Sequence, residues 1–188
     1  MLIYFIFSYL VGTFMTAWFV GKLKGVDLRK ERSGNLGARN AGAVIGNLAF
    51  LVTFLGDAGK GVLVVFTGFH FNFPIWAIAL AGLLTVLGHL FPFWLRGRGG
   101  KGIAVFIGVS FFLTPELFLP MLIIFLIFLT FLKSATLSMF CAFVAYIIMA
   151  VVLQVFTAVW PLILAIIIIV YLHRFDLKES YTRRFAKK

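Results

Sequence analysis

Apolar residues in this chain come in long unbroken blocks, without the strict alternation of a half-buried strand or the one-sided stripe of a surface helix. The blocks cover residues 2 to 21, 44 to 73, 74 to 95, 103 to 115, 117 to 132, 137 to 154 and 156 to 172, and apart from Asp57 and Lys60 the charged residues lie outside them. A helix needs about 20 such residues to cross the hydrocarbon core of a bilayer, where each backbone polar group must be satisfied within its own segment. The pattern predicts an all-α, polytopic integral membrane protein with about seven transmembrane helices, forming a single domain over residues 1–188. Residues 137 to 172 are too many for one helix at about 1.5 Å per residue, so the chain must fold back near Gln154 to Thr157. The block 44 to 73 exceeds one crossing and is interrupted by GDAGKG at 56 to 61, which predicts a short interfacial helix and then a crossing from residue 58. The first twenty residues lack a basic n-region and an A-x-A cleavage site, and read as a retained first span.

Composition supports the membrane assignment and adds an orientation. Hydrophobic residues make up 63% of the chain and charged residues 12%, with a mean hydropathy of +1.11, far from the soluble average of about 25% charged. The net charge is +11. On a polytopic chain such a surplus marks loops held in the cytoplasm against anionic lipid rather than a nucleic-acid partner, which would need a basic patch in a folded domain. Lys22, Lys24, Arg29, Lys30, Arg32 and Arg39 follow the first block and Arg96, Arg98 and Lys101 the third. Lys133 follows the fifth, Arg174, Lys178, Arg183, Arg184, Lys187 and Lys188 follow the seventh, and the division of 44 to 73 puts Lys60 on the same side. The intervening loops near 70 to 74, 114 to 116 and 154 to 157 have no Lys or Arg. The N-terminus is therefore expected outside and the C-terminus in the cytoplasm. A lone cysteine, Cys141, excludes an internal disulfide, and no metal-ligand or cofactor constellation is visible.

Orientation alone requires cations but no particular glycines or amides. Three segments on the cationic side combine them: SGNLGARNAG (33 to 42), GDAGKG (56 to 61) and GRGGKG (97 to 102). Glycine allows close approach of the backbone to a ligand, successive free N–H groups form an anion-binding nest, and a helix opening after Gly102 adds its N-terminal dipole. Lys60 and Lys101 are each followed by Gly where a Walker A loop carries Ser or Thr, which argues against an ATPase.

Together the segments SGNLGARN (33 to 40), DAGKG (57 to 61) and GHLFP (88 to 92) leading to GGKG (99 to 102) resemble the three motifs of the bacterial acyl-phosphate:glycerol-3-phosphate acyltransferases, the PlsY family. The resemblance covers essentially the whole chain. It implies a multi-pass protein of the bacterial plasma membrane, with its active site on the cytoplasmic side and no cofactor. The implied reaction moves an acyl group from acyl phosphate to the 1-hydroxyl of glycerol 3-phosphate, giving lysophosphatidic acid and phosphate. It also implies roles for residues. Lys101 with the backbone of Gly99, Gly100 and Gly102 is expected to take the acyl-phosphate group, and Lys60 a substrate phosphate, with Asp57 orienting it. Ser33, Asn35 and Asn40 are expected to position substrate, and His89 and His173 to bond it, with Lys101, Asn35 and His173 nearest the chemistry. The His-x-x-x-x-Asp pair of soluble glycerolipid acyltransferases does not occur, so deprotonation by the substrate's own phosphate is the expected route.

The chain departs from the family pattern at four places. Arg39 stands where the first motif has Thr, and Ala43 where an Arg usually follows. If 39 to 43 are helical, Arg39 lies one turn from the vacated position on the same face and replaces the missing phosphate ligand. Val105 stands for a Thr and Asp176 for an Asn, and an acidic Asp176 beside a phosphate needs a cationic partner such as Arg174. These departures keep open a non-catalytic paralogue that regulates phospholipid synthesis. A small transporter is the more distant alternative, because it would bury ionisable residues within its spans.

Overall fold

The computed structural model describes residues 1–186, so Lys187 and Lys188 lie outside the described residues. All described elements are helical, with no strand among them. The first block forms two helices, α1 (Leu2–Thr13) and α2 (Thr16–Leu23), separated by Phe14 and Met15 in extended conformation. After a polar loop comes the short α3 (Ala38–Ile45), then α4 (Asn47–His70), α5 (Ile75–Leu90) and a single 3-10 turn, Phe93–Leu95. The chain continues through α6 (Ile103–Leu113), α7 (Pro115–Leu132), α8 (Ala135–Val152), α9 (Phe156–Leu172) and α10 (Arg174–Tyr181).

Five segments are long and apolar enough to cross a membrane: Leu2–Leu23, Asn47–His70, Ile75–Leu95, Pro115–Leu132 and Ala135–Val152. Phe156–Leu172 adds a sixth when taken with Arg174–Phe185, the pair being bent by 59°. All seven apolar blocks are helical, but α6 has only 11 residues, a length of about 16 Å against a hydrocarbon core of about 30 Å.

One expected boundary is corrected. The block 44 to 73 does not divide at GDAGKG; it divides at Gly46, whose φ of +126° is a conformation other residues rarely adopt. Residues 56 to 61 lie inside the continuous 24-residue α4, and Lys60 is therefore a mid-helix residue rather than part of a cationic loop. Glycine inside a helix costs about 1 kcal/mol relative to alanine, and here the lost Cβ is used for packing. A Cβ at Gly61 would meet the backbone of Val105 and Val109, and one at Gly108 would meet the backbone of Ala58. So α4 and α6 touch main chain to main chain. In lipid there is no hydrophobic drive between helices, and such close contact is what holds them together.

Helix α5 is the axis of the bundle, packed against α1, α4, α6 and α9, with 67% of its span buried against 17% for α7. Gly12 and Gly88 let α1 and α5 approach as closely as the α4–α6 pair, each facing the other helix's backbone. Val86, Phe106, Val109, Leu162, Ile166 and Ile169 fill the space between α5, α6 and α9. Helices α7 and α8 form a hairpin on the outside, with Leu119, Ile123, Leu126, Ile127 and Phe131 of α7 exposed on its surface.

Gly108→Val inserts a side chain where the backbone of Ala58 stands, forcing α4 and α6 apart. The expected loss is about 1–3 kcal/mol. It should be read as a lower midpoint in thermal unfolding of the detergent-solubilised protein, and an unchanged midpoint would refute the main-chain contact.

Candidate active site

Two groups of polar residues emerge, one dry and one wet. The dry group surrounds the break in the first span. Leaving the helix at Phe14 strips carbonyls of their intrahelical partners, and in a bilayer these must find donors inside the protein. Lys60 Nζ supplies them, 2.7 Å from Phe14 O and 3.4 Å from Gly12 O. The indole N–H of Trp94 donates to Thr13 O at 2.9 Å. The Lys60 ammonium also lies 2.9 Å from Asp57 Oδ1, one turn away on α4, and 3.0 Å from His89 Nδ1 on α5. Since an ammonium only donates, His89 Nδ1 is the acceptor. Thr16 Oγ1 completes the set by donating to Asp57 Oδ1 at 3.0 Å. The side chains of Asp57, Lys60 and His89 are exposed by 2%, 6% and 3%.

Expected at a substrate phosphate, Lys60 Nζ, Asp57 Oδ1 and His89 Nδ1 in this structure pair with one another and with the broken first span. The glycine nest is narrowed. The N–H groups of Gly99 and Gly100 donate to Leu90 O at 3.2 Å and His89 O at 3.0 Å, so they fasten the loop to the end of α5. Gly100 rests directly on the His89 ring. Asn40 is likewise structural, its side-chain amide buried and donating to Leu28 O at 3.0 Å and Glu31 O at 3.3 Å, which shapes the loop between α2 and α3. The same loop is held by Arg29, whose guanidinium grips Asp27 through Nε and Nη2, both at 2.9 Å, and keeps that carboxyl down at about 2.

The wet group lies at the α9–α10 bend. Lys101, just ahead of the α6 N-cap Gly102 (φ +84°), forms an ion pair with Asp176 in the first turn of α10. The first bond of α6 runs from Phe106 N–H to Gly102 O, which leaves the amides of Ile103, Ala104 and Val105 without intrahelical acceptors beside Lys101. His173 is buried at the bend, and its Nδ1–H donates to Ile169 O at 2.8 Å, leaving Nε2 as the remaining ring position. It stands just past the α9 span, and burial first, then the charges of Lys101 and Arg39, hold its pKa below 6.5, opposed by the Ile169 bond and Asp176. Arg39 is in the first turn of α3, with Nη1 3.4 Å from Thr136 Oγ1 at the start of α8. Residues 39 to 43 are helical, so Arg39 and Ala43 do share a face. Ser33 is exposed and Asn35 half-buried in the loop before α3; among the described residues no hydrogen bond joins either to Lys101 or His173.

Comparison with known proteins fits this layout. A family model described as glycerol-3-phosphate acyltransferase matches residues 2–182. Glycerol-3-phosphate acyltransferase 1 of Bacillus cereus is 38% identical over 176 residues, covering 91% of this chain and 94% of the relative. The glycerol-3-phosphate acyltransferase of Bacillus subtilis is 36% identical over 183 residues, covering 97% and 94%. The chain belongs to the glycerol-3-phosphate acyltransferase family. The fold agrees: the crystal structure of PlsY, an integral membrane glycerol 3-phosphate acyltransferase, in its glycerol 3-phosphate form superposes with a TM-score of 0.89 at 30% identity, covering 97% of this chain and 92% of that one. Its lysophosphatidic acid form gives 0.87 at 29% identity over the same shares.

Within this acyltransferase fold, the charges of two sequence-predicted residues, Arg39 and Lys101, both act on a third, His173, although the three come from segments far apart in the chain. Sequence reasoning missed the partner of Lys101. Arg174, the partner expected for Asp176, instead lies over the rings of Tyr171 and Phe175 at 4.2 Å and 4.4 Å and donates to Tyr171 O at 2.9 Å. The roles of Trp94 and Thr136 were also invisible, because each depends on a contact with a distant segment.

Lys60→Met leaves Asp57 charged, buried and without its cation, at an expected cost of about 3–5 kcal/mol. Asp57→Asn in the same chain should recover part of that loss, a non-additivity read from a double-mutant cycle of unfolding midpoints. Additive losses would show that the two residues are not coupled.

Proposed function

We propose that the protein transfers an acyl group from an acyl phosphate to the 1-hydroxyl of glycerol 3-phosphate, on the cytoplasmic side of a bacterial plasma membrane. The observation that carries this reading is the Lys101–Asp176 pair, which joins the open start of α6 to the bend that holds His173, where the charge of Arg39 is also felt. The named activities of its relatives, and the glycerol 3-phosphate and lysophosphatidic acid forms of PlsY, support the acceptor and the product.

In this reading Lys101 and the amides of Ile103 to Val105 hold the phosphate of the donor, a cation and a helix N-terminus acting on one anion. Arg39 holds the phosphate of glycerol 3-phosphate from the opposite wall, taking over from the position now occupied by Ala43. Ser33 and Asn35 position the acceptor. The hydroxyl oxygen attacks the acyl carbonyl carbon, the bond from that carbon to the phosphate oxygen breaks, and the departing phosphate accepts the hydroxyl proton. With its Nδ1 proton committed to Ile169 O, His173 offers a neutral Nε2 that accepts from the 2-hydroxyl of glycerol 3-phosphate and so orients the acceptor for attack by its 1-hydroxyl. Positioning both reactants and offsetting the charge on the leaving group are the main contributions of the protein. The cations cluster where α3 and α6 begin and α9 ends, which supports one shared face, the inner one by the positive-inside rule.

Purified protein given palmitoyl phosphate should release inorganic phosphate only when glycerol 3-phosphate is present, and palmitoyl-CoA should not substitute. Equal turnover with the thioester would reject the donor. Lys101→Met should lower kcat/KM by about 10²–10³. Arg39→Ala should raise the KM for glycerol 3-phosphate, and an unchanged KM removes Arg39 from the acceptor site. Because the folded protein holds the His173 pKa below 6.5, the unprotonated form prevails at neutral pH and kcat/KM should fall only on the acid side of 6.5. Loss of that acid limb in His173→Gln checks the assignment; its persistence refers the limb to another group.

A further inference from the structure

Lys101 is already engaged by an anion that belongs to the protein. Its ammonium pairs with the Asp176 carboxylate, 75 residues further on, and the two side chains are 31% and 36% exposed. Both members of the pair act on the charge of His173 at the bend, as does Arg39 from α3. Arg174, the neighbouring cation on α10, is turned away onto Tyr171 and Phe175. On the next turns of the same segment, Glu179 is paired with Arg183. Among the described residues, Lys101 is the one cation paired with Asp176.

A carboxylate and a phosphate present the same kind of oxygen to an ammonium and compete for it. The phosphate has more oxygens, and can use the amides at the start of α6 at the same time, so it displaces the carboxylate at a cost. The displaced group has somewhere to go: no residue of α10 is buried, and the helix leaves α9 at 59°, so the side chain can turn toward solvent without unpacking the bundle. An asparagine, the residue the family pattern has here, offers only a neutral carbonyl and competes far less.

We propose that Asp176 is a specificity-determining residue, a tethered anion that occupies Lys101 between turnovers and sets the affinity of that site for phosphate-bearing ligands. It weakens capture of the donor and equally weakens retention of the phosphate product. The inference rests on the assignment of Lys101 to the donor phosphate.

The test is Asp176→Asn in the full-length protein, in detergent micelles. Exposed ion pairs are worth at most about 1 kcal/mol, so the KM for palmitoyl phosphate and the dissociation constant for inorganic phosphate should both fall about two- to fivefold. Asp176→Glu should restore the wild-type constants, and Lys101→Met should abolish the difference between Asp and Asn at 176. Constants that stay the same or rise in Asp176→Asn overturn the proposal, as does a collapse of kcat at unchanged KM, which would make the carboxylate a base. Tighter phosphate binding in a protein that does not turn over palmitoyl phosphate would uphold the tethered anion and reject the donor.

Discussion

The structure depends on one buried ammonium. A first span that breaks at Phe14 and Met15 exposes carbonyls in a medium without water, and Lys60 answers them from the middle of α4. A cation in such a place is itself costly unless paired, so Asp57 sits one turn away, and His89 and Thr16 complete the set. Each member solves a problem created by another. The result ties α1, α2, α4 and α5 together at one level, and buried polar networks of this kind rigidify when every group is satisfied.

From that anchor the site follows by short connections. The His89 ring supports Gly100, and the carbonyls of His89 and Leu90 receive the amides of Gly100 and Gly99, so the loop carrying Lys101 is attached to the dry network at its base. Beyond Gly102 the chain enters α6, itself held against α4 by Gly61 and Gly108. The glycine-rich motif thus has two halves with different tasks: the first fastens, and the second presents a cation and open amides. On the other wall, the bend at His173 brings Asp176 across to meet Lys101. Charge passes from paired and dry at Lys60 to paired and partly exposed at Lys101.

Much of this was legible in the residues. The apolar blocks specify helices because lipid leaves the backbone no other arrangement, and all seven blocks are helical. The charges of the motif cations at 39 and 101 both act on the histidine at 173. What was misread was the second motif. GDAGKG has the composition of a loop, but main-chain packing between α4 and α6 supplies what the glycines lack in helix propensity, and the segment stays helical.

The sequence by itself determined the solvent, the helical class and the inventory of charged groups, since these follow from local composition and from the absence of water to satisfy a backbone. Only the tertiary structure decided which lysine is buried and which is accessible. Lys60 and Lys101 sit in the same Gly-Lys-Gly context, yet one is 6% exposed among several partners while the other is 31% exposed and, among the described residues, paired with Asp176. Burial and pairing belong to residues brought together from distant parts of the chain, Phe14 and His89 around one, Asp176 and His173 around the other, and no local pattern encodes them.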